Sequence, residues 1–125
     1  YGQTGAGKTF TMLGDLGGWQ QKGSEPREHS GLVPRALSYI FEGVRRQQEG
    51  GMQVKIKASL IEIYNESVVD LLSPDGRSLA VRETSAGDGA YADQAVKALV
   101  GDAAKCLQLL DVGMRNRTTG ATAMN

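Results

Sequence analysis

The 125-residue sequence predicts an α/β protein organised around an anion-binding loop. Three observations predict it. A glycine-rich segment leads directly into a helix, apolar residues recur at helical spacing from Val33 to Val44, and apolar residues alternate along the stretch from Met52 to Tyr64. With 40% hydrophobic and 22% charged residues the chain falls in the ordinary globular range, and its length allows one domain or less.

The loop comes first. The segment "YGQTGAGKTFTM" meets the pattern G-x-x-x-x-G-K-[ST] in full, with Gly2, Gly7, Lys8 and Thr9. Gly2, Gly5 and Gly7 have no Cβ, so the backbone there can take positive φ and come close to an anion. Successive N–H groups then turn inward as a nest, and Ala6 keeps the loop small. Lys8 is positioned for the β- and γ-phosphates of a nucleotide, and the Thr9 hydroxyl for Mg²⁺. The helix that Lys8 starts presents its positive end to the same anion. Gly2, Gln3, Thr4, Gly5, Ala6, Gly7, Lys8 and Thr9 are therefore the candidate phosphate cradle, with Lys8 the one candidate catalytic group and Thr9 the one candidate metal ligand. The competing reading is a glycine-rich turn capping an ordinary helix. A buried strand normally feeds such a loop, and here only Tyr1 precedes it.

Phe10, Met12 and Leu13 continue the first helix, which should stop near Gly14. "GDLGGWQQKGSEPREHSG", from Gly14 to Gly31, reads as a long exposed loop with Trp19 its one large apolar residue. Pro34 suits the first turn of a second helix. Val33, Leu37, Ile40, Phe41 and Val44 form its apolar stripe, Arg45 and Arg46 its last turn, and Gly50-Gly51 its stop. In "MQVKIKASLIEIYNE" the apolar positions are first even (Val54, Ile56, Ala58, Leu60) and then odd (Ile61, Ile63), which predicts a strand whose buried face changes. A short helical piece, "ESVVDLLS", follows and closes in the turn "SPDG". "SLAVRE" is a second strand, and the hairpin "SAGDGAYA" leads to "QAVKALV". Asp102 is a suitable N-cap for "AAKCLQLLDVGM", in which Ala103, Cys106, Leu107, Leu110 and Met114 share a face. Strands are thus expected near 53–64 and 79–83, and helices near 8–13, 32–48 and 102–115. The last stretch, "RNRTTGATAMN", is polar and ends on no packing signal.

Net charge is zero, so no overall basic field recruits nucleic acid. The distribution is uneven: residues 31–60 hold five Lys/Arg against two Asp/Glu, and residues 61–90 hold two against six. The single Cys106 has no internal disulfide partner, which fits a reducing compartment, and its place on an apolar helical face reads as a core thiol rather than a nucleophile. The lone His29 lies in a polar loop without Cys or His neighbours in sequence. No long apolar run or secretory signal is present, and a cytosolic protein without a membrane span is the default expectation.

Four blocks in sequence order, "YGQTGAGKTFTM", "GLVPRAL", "LIEIYNESVVDLL" and "GMRNRTTGATAMN", resemble the kinesin motor domain. Myosins carry a similar loop. Gln3-Thr4, and above all Glu62-Ile63-Tyr64-Asn65-Glu66, match kinesin instead. The resemblance implies a P-loop NTPase fold, a three-layer α/β/α sandwich, of which residues 1–125 are the central part only, from the phosphate loop to the start of switch I. It implies ATP and Mg²⁺ as cofactors, microtubules as partner, location on the cytoplasmic microtubule cytoskeleton, and oligomerisation through a stalk outside this chain. By motif, Gly2 to Thr9 hold the ATP phosphates, Arg115 and Arg117 lie near the mouth of the nucleotide pocket, and Asn125 begins switch I. For the two arginines, solvated charges closing a helix remain an equal alternative. The loop from Gly14 to Gly31 matches the variable loop at which family inhibitors often bind, and residues 54–100 match a lobe on the microtubule side. This chain departs from many relatives by carrying Ser67, Val69, Ser85 and Asp88 where Lys or Arg are common, leaving Arg82 as the well-placed cation against an acidic filament. Two further functions stay open: a kinesin-like module that binds microtubules or cargo without stepping, and an unrelated P-loop NTPase.

Overall fold

A computed structural model describes residues 1–3, 5–15 and 26–123, with side chains described as far as residue 117. Thr4, Trp19 with the rest of 16–25, and Asn125 lie outside the described residues. In order, the elements are α1 (Lys8–Leu13), α2 (Leu32–Glu49), β1 (Ile56–Ala58), β2 (Ile61–Tyr64), β3 (Ser67–Asp70), β4 (Ser78–Leu79), β5 (Val81–Glu83), β6 (Ala90–Ala92), β7 (Ala98–Val100) and α3 (Ala103–Ala123). The α/β class read from the sequence is the class observed. Two compact units are present: Tyr1–Ile56 with Val100–Leu107, and Lys57–Leu99 with the chain from Gln108 onward.

In the first unit α1 ends where predicted. Gly14 takes φ 75°, and its N–H bonds to the Phe10 carbonyl at 2.7 Å. Ser30 pairs back with Gly14 as an isolated antiparallel bridge, and the Asp15 N–H donates to the His29 carbonyl at 3.2 Å. The long loop is therefore closed at its base. Gly14 and Gly31 meet back to back there. A Cβ on Gly14 would overlap the His29 carbonyl oxygen and the Gly31 nitrogen, and one on Gly31 would lie 2.5 Å from the Gly14 nitrogen. The Arg35 guanidinium, one turn into α2, donates to the carbonyls of Ser30 and Arg27 at 3.0 Å each and of Glu28 at 3.1 Å. One side chain thus ties together three loop carbonyls, of which that of Arg27 also accepts the Ser30 N–H at 3.0 Å.

Helix α2 runs 18 residues with Pro34 buried in its first turn. Val33, Leu37, Phe41 and Val44 are half-buried, and Ile40 is exposed. Arg45–Glu49 at 3.0 Å and the pair Arg46–Glu42 are i,i+4 ion pairs on its outer face. Gly51 at φ 88° stops it, as the Gly50-Gly51 pair predicts. Asp102 caps α3, its Oδ1 accepting the Lys105 N–H at 2.7 Å. Among the described residues, Leu13, Pro34, Val100 and Ala103 are buried apolar residues of this unit.

The second unit corrects the sequence reading in three places. The segment "ESVVDLLS" is not helical: Ser67–Asp70 is a strand, paired antiparallel to β2 with Tyr64 opposite Ser67. Asn65 and Glu66 form the two-residue link, at φ 47° and 61°, the paired positive values of a type I′ hairpin. Such a turn lets two β-branched valines pair with β2, whereas a helix of this length is marginal. The expected strand 53–64 is two strands in separate sheets, β1 pairing with β7 and β2 with β3. Its buried face does not change either. Even positions stay half-buried from Val54 to Glu62, while Ile61 and Ile63 are exposed. Glu62 keeps the inward parity because a cation meets it, as described below. The expected strand 79–83 likewise divides at Ala80, whose carbonyl accepts the Asp93 N–H at 2.8 Å; β4 joins β3 and β5 pairs with β6.

Asp70 is the fully buried side chain of this unit. Its Oδ1 accepts the Leu72 N–H at 3.0 Å and its Oδ2 the Val96 N–H at 2.7 Å. The "SPDG" turn forms, closed by Gly76 N–H to the Ser73 carbonyl at 3.1 Å. Helix α3 continues to Ala123, well past the predicted 115, so the polar "RNRTTGATA" is helical. Gly113 is buried on it, with Leu60 and Leu71 so close that a Cβ would collide with Leu60 Cδ2 and sit 3.3 Å from Leu71 Cβ.

Glycine replacements should therefore differ in sign. Gly14→Ala and Gly31→Ala each force overlap with backbone atoms and should destabilise the protein by at least ~2 kcal/mol. Gly43→Ala, in mid-α2 with nothing within 4 Å of its would-be Cβ, should stabilise it by ~0.5–1 kcal/mol. Denaturant midpoints measured at constant slope check all three. Gly113→Val should shift the midpoint downward by ~2 kcal/mol or more through overpacking against Leu60 and Leu71, and an unchanged midpoint would show that α3 does not pack as described.

Candidate functional site

The loop between Tyr1 and α1 has the backbone that anion binding needs. Gly5 and Gly7 take φ 85° and 79°, and no atom lies within 4 Å of where a Cβ would sit on either. The open space is the concavity that side chains would fill. Gly2 lies against Ala6, a Cβ on it coming 3.0 Å from the Ala6 Cβ, and the Ala6 N–H donates to the Gln3 carbonyl at 3.1 Å, so the loop is tight. Gly7 is the N-cap of α1 in the left-handed conformation. Thr11 Oγ1 bonds to the Gly7 carbonyl at 3.0 Å and secures the first turn.

Lys8 arches over this loop. Its Nζ donates to the Gln3 carbonyl at 2.8 Å and to the Gly2 carbonyl at 2.5 Å. The ammonium is held at the mouth by two neutral acceptors, and an incoming anion offers it a stronger, charge-assisted partner. Thr9 follows on the exposed first turn of α1. Gly2, Gln3, Gly5, Ala6, Gly7, Lys8 and Thr9 stand in sequence at the start of α1, with Lys8 folded back on Gly2 and Gln3; Thr4 lies outside the described residues. The residues present fit a polyphosphate group: two positive-φ glycines facing open space, one cation, and the hydroxyl of the residue after it. Among the described residues, no group of three His, Cys, Asp or Glu side chains is arranged to hold a metal ion by itself.

At the base of the long loop an open cavity of about 400 Å³ is lined by Phe10, Gly14, Asp15 and His29. His29 contributes its carbonyl to the loop closure. Cys106 is half-buried rather than fully buried; burial, and secondarily the charge of Asp102, push its thiol pKa up. A thiol held protonated in this way is a poor nucleophile, in keeping with the sequence reading.

The remaining site candidates lie in the second unit. Arg115 pairs with Asp111 one turn earlier on α3 at 2.8 Å. Arg117 reaches off the helix: its Nε donates to Glu62 Oε1 of β2 at 2.6 Å. Its neighbour Asn116 donates from Nδ2 to the Leu71 carbonyl at 2.8 Å. From the sequence Glu62 enters only as part of the block that resembles kinesin, and neither it nor Asn116 is a candidate site residue. The signal for Glu62 is a charge at an inward-facing strand position. Arg82 donates to Asp93 Oδ2, a bond that raises the guanidinium pKa further, and Arg77 donates to the Gln94 carbonyl. Thr84 Oγ1 donates to Asp88 Oδ1 at 2.6 Å in the β5–β6 hairpin. No helix among the described residues is long and apolar enough to cross a membrane.

Comparison with known proteins places these features in one family. The model of the kinesin motor domain matches residues 1–125. The whole chain aligns at 40% identity with kinesin-like protein klp-20 of Caenorhabditis elegans, covering 18% of it. It aligns over its whole length at 38% with kinesin-like protein KIF15 of Homo sapiens, covering 9%, and at 37% with kinesin-like protein KIN-12E of Oryza sativa subsp. japonica, covering 7%. A solved structure of a fast kinesin, described for its ATPase mechanism and interactions with microtubules, superposes on the whole chain with a TM-score of 0.76 at 29% identity. The chain covers 33% of that structure, and so spans a minor part of each of these proteins. The family model spans the loop from Gly2 to Thr9, the hairpin after "LIEIYNE" and the α3 segment "GMRNR" alike, and the chain belongs to the kinesin motor-domain family.

Proposed function

We propose that these 125 residues are the central part of a microtubule-stimulated ATPase motor and supply its phosphate cradle. The observation that carries the reading is the loop itself: Gly5 and Gly7 hold positive φ around open space, with the Lys8 ammonium tethered above them. Gly2 to Thr9 hold the ATP phosphates, Lys8 faces the β- and γ-phosphates, and Thr9 ligates Mg²⁺. Bound Mg²⁺ neutralises charge developing on the phosphates; this chain's own contribution is to orient them and hold a cation beside them. Arg115 and Arg117 serve the region next to the nucleotide, and Asn125 opens the segment that positions water. The partner is the microtubule, and the working location is the cytoplasmic cytoskeleton, with oligomerisation through a stalk elsewhere in the polypeptide. Alone, the 125 residues lack a water-positioning switch and should not turn over ATP.

A second reading has its own observation. Arg82, the cation best placed for an acidic filament, is already paired with Asp93. Weak electrostatic attraction favours a kinesin-like module that binds without productive stepping. Filament gliding separates the two, since only the motor moves microtubules.

In the full-length protein, Lys8→Ala should lower microtubule-stimulated ATP turnover by at least ~100-fold, because it removes the one cation of the cradle. Turnover equal to the unmodified protein would refute the nucleotide assignment. Thr9→Ala should raise the Mg²⁺ concentration needed for half-maximal turnover by ~10-fold or more. Magnesium titration of steady-state hydrolysis reads that shift directly.

A further inference from the structure

Three consecutive contacts fall on one face of α3. Gly113 admits Leu60 and Leu71 where a Cβ would not fit, Asn116 Nδ2 donates to the Leu71 carbonyl at 2.8 Å, and Arg117 Nε donates to Glu62 Oε1 at 2.6 Å. Spacings of three and four residues put these groups side by side on the helix. The surface they meet is the start of β2 and the end of β3, since Leu60 and Leu71 flank the paired residues Ile61 and Asp70, and the Leu71 N–H donates to the Leu60 carbonyl at 2.9 Å. The seam thus has a steric stop at Gly113, a neutral hydrogen bond at Asn116 and an ion pair at Arg117.

The ion pair differs from others on the helix. Arg115–Asp111 joins residues of the same helix and constrains no second element. Arg117–Glu62 joins residues 55 apart in sequence, with the Glu62 side chain 23% exposed and that of Arg117 53% exposed. A pair this open adds little to stability. It is, however, a directed contact, one guanidinium N–H to one carboxylate oxygen, and it ties α3 to β2 on the same face as Gly113 and Asn116. Ala123 ends the helix, and Asn125 stands two positions later in sequence.

We propose that Glu62 and Arg117 are a pair of positioning residues that orient α3 on the β2–β3 hairpin and so set where the chain leaves the helix toward Asn125. The inference rests on the function proposed above, in which the segment from Asn125 positions the attacking water. Neither side chain touches the phosphates in this account. Their effect is on the geometry of the step that follows nucleotide binding, and small displacements of a positioning group lower rate more than affinity.

The test uses the full-length protein in microtubule-stimulated ATP hydrolysis, with kcat and KM for ATP measured separately and Tm recorded for every variant. Glu62→Gln and Arg117→Gln should each lower kcat by ~10-fold while KM for ATP stays within ~2-fold and Tm is unchanged. The exchange Glu62→Arg with Arg117→Glu should recover most of kcat, and Arg117→Lys, which keeps charge without the planar fork, should recover only part. Unchanged kcat in both single variants, a fall that follows a lower Tm, or a loss that the exchanged pair fails to restore would overturn the proposal. If those variants lose nothing while Lys8→Ala abolishes turnover, this inference fails and the proposed function stands; if Lys8→Ala itself is active, the function fails first.

Discussion

Elements of this chain meet at glycines, at points where a Cβ would overlap a neighbouring backbone or side-chain atom. Gly14 and Gly31 join the end of α1 to the start of α2, and Gly113 brings α3 onto Leu60 and Leu71. Such contacts matter because, among the described residues, few apolar side chains are buried: Leu13, Pro34, Val100 and Ala103 in one unit, Leu71 and Leu79 in the other. With few large side chains buried, close approach is what gives the dispersion contacts their density. The anion loop depends on the first of these contacts. Its Lys8 opens a helix of six residues, too short to be stable by itself. The packing of its C-terminal end at Gly14 against Gly31 helps to give that helix a fixed direction.

A second constraint organises the other unit. Asp70 is a carboxylate with no exposure, and its two oxygens accept N–H groups from Leu72 and Val96, 26 positions apart from it in the latter case. A buried carboxylate without such donors would be strongly unfavourable. With them, it draws the chain before β7 against the end of β3. This explains why the segment "SVVDLLS" is not a helix. The sequence shows an apolar run with one charge, which fits a short amphipathic helix as well as a strand. What decides is a donor 26 residues downstream and a two-residue turn made by Asn65 and Glu66, neither carrying the glycine that usually marks such turns.

The legible parts of the molecule are the local ones. The loop from Gly2 to Thr9 is a motif of consecutive residues, and its positive φ values among the described residues fall on glycines, Gly5 and Gly7. The Asp102 cap, the Gly14 and Gly51 stops and the β5–β6 hairpin are equally short-range, and each forms as read. The parity of the strand from Val54 onward is not legible for the opposite reason. Apolar Ile61 and Ile63 suggest that the buried face shifts, but Glu62 keeps the inward side because Arg117, 55 residues later, neutralises it. Arg35 is a further case, its partners being carbonyls that carry no sequence signal at all. Long-range polar pairing is what a single sequence conceals.

The same pairing changes how the charge of the second unit should be counted. From composition, residues 61–90 hold two cations against six anions. In the structure both cations are engaged, Arg77 by the Gln94 carbonyl and Arg82 by Asp93, and Arg117 is drawn in to Glu62. Engagement does not remove charge, but it fixes each guanidinium over an acceptor and cancels the near field of Arg82 and Arg117. For the microtubule reading proposed above, steering by this lobe is then weaker than a count of arginines implies. Attraction to an acidic filament has to be supplied by cations elsewhere in the polypeptide or by contacts that act at short range. Here Ile63 and Tyr64 stand exposed beside the hairpin turn. Apolar contact of that kind is insensitive to salt, whereas steering is not, so ionic strength distinguishes which of the two holds the filament.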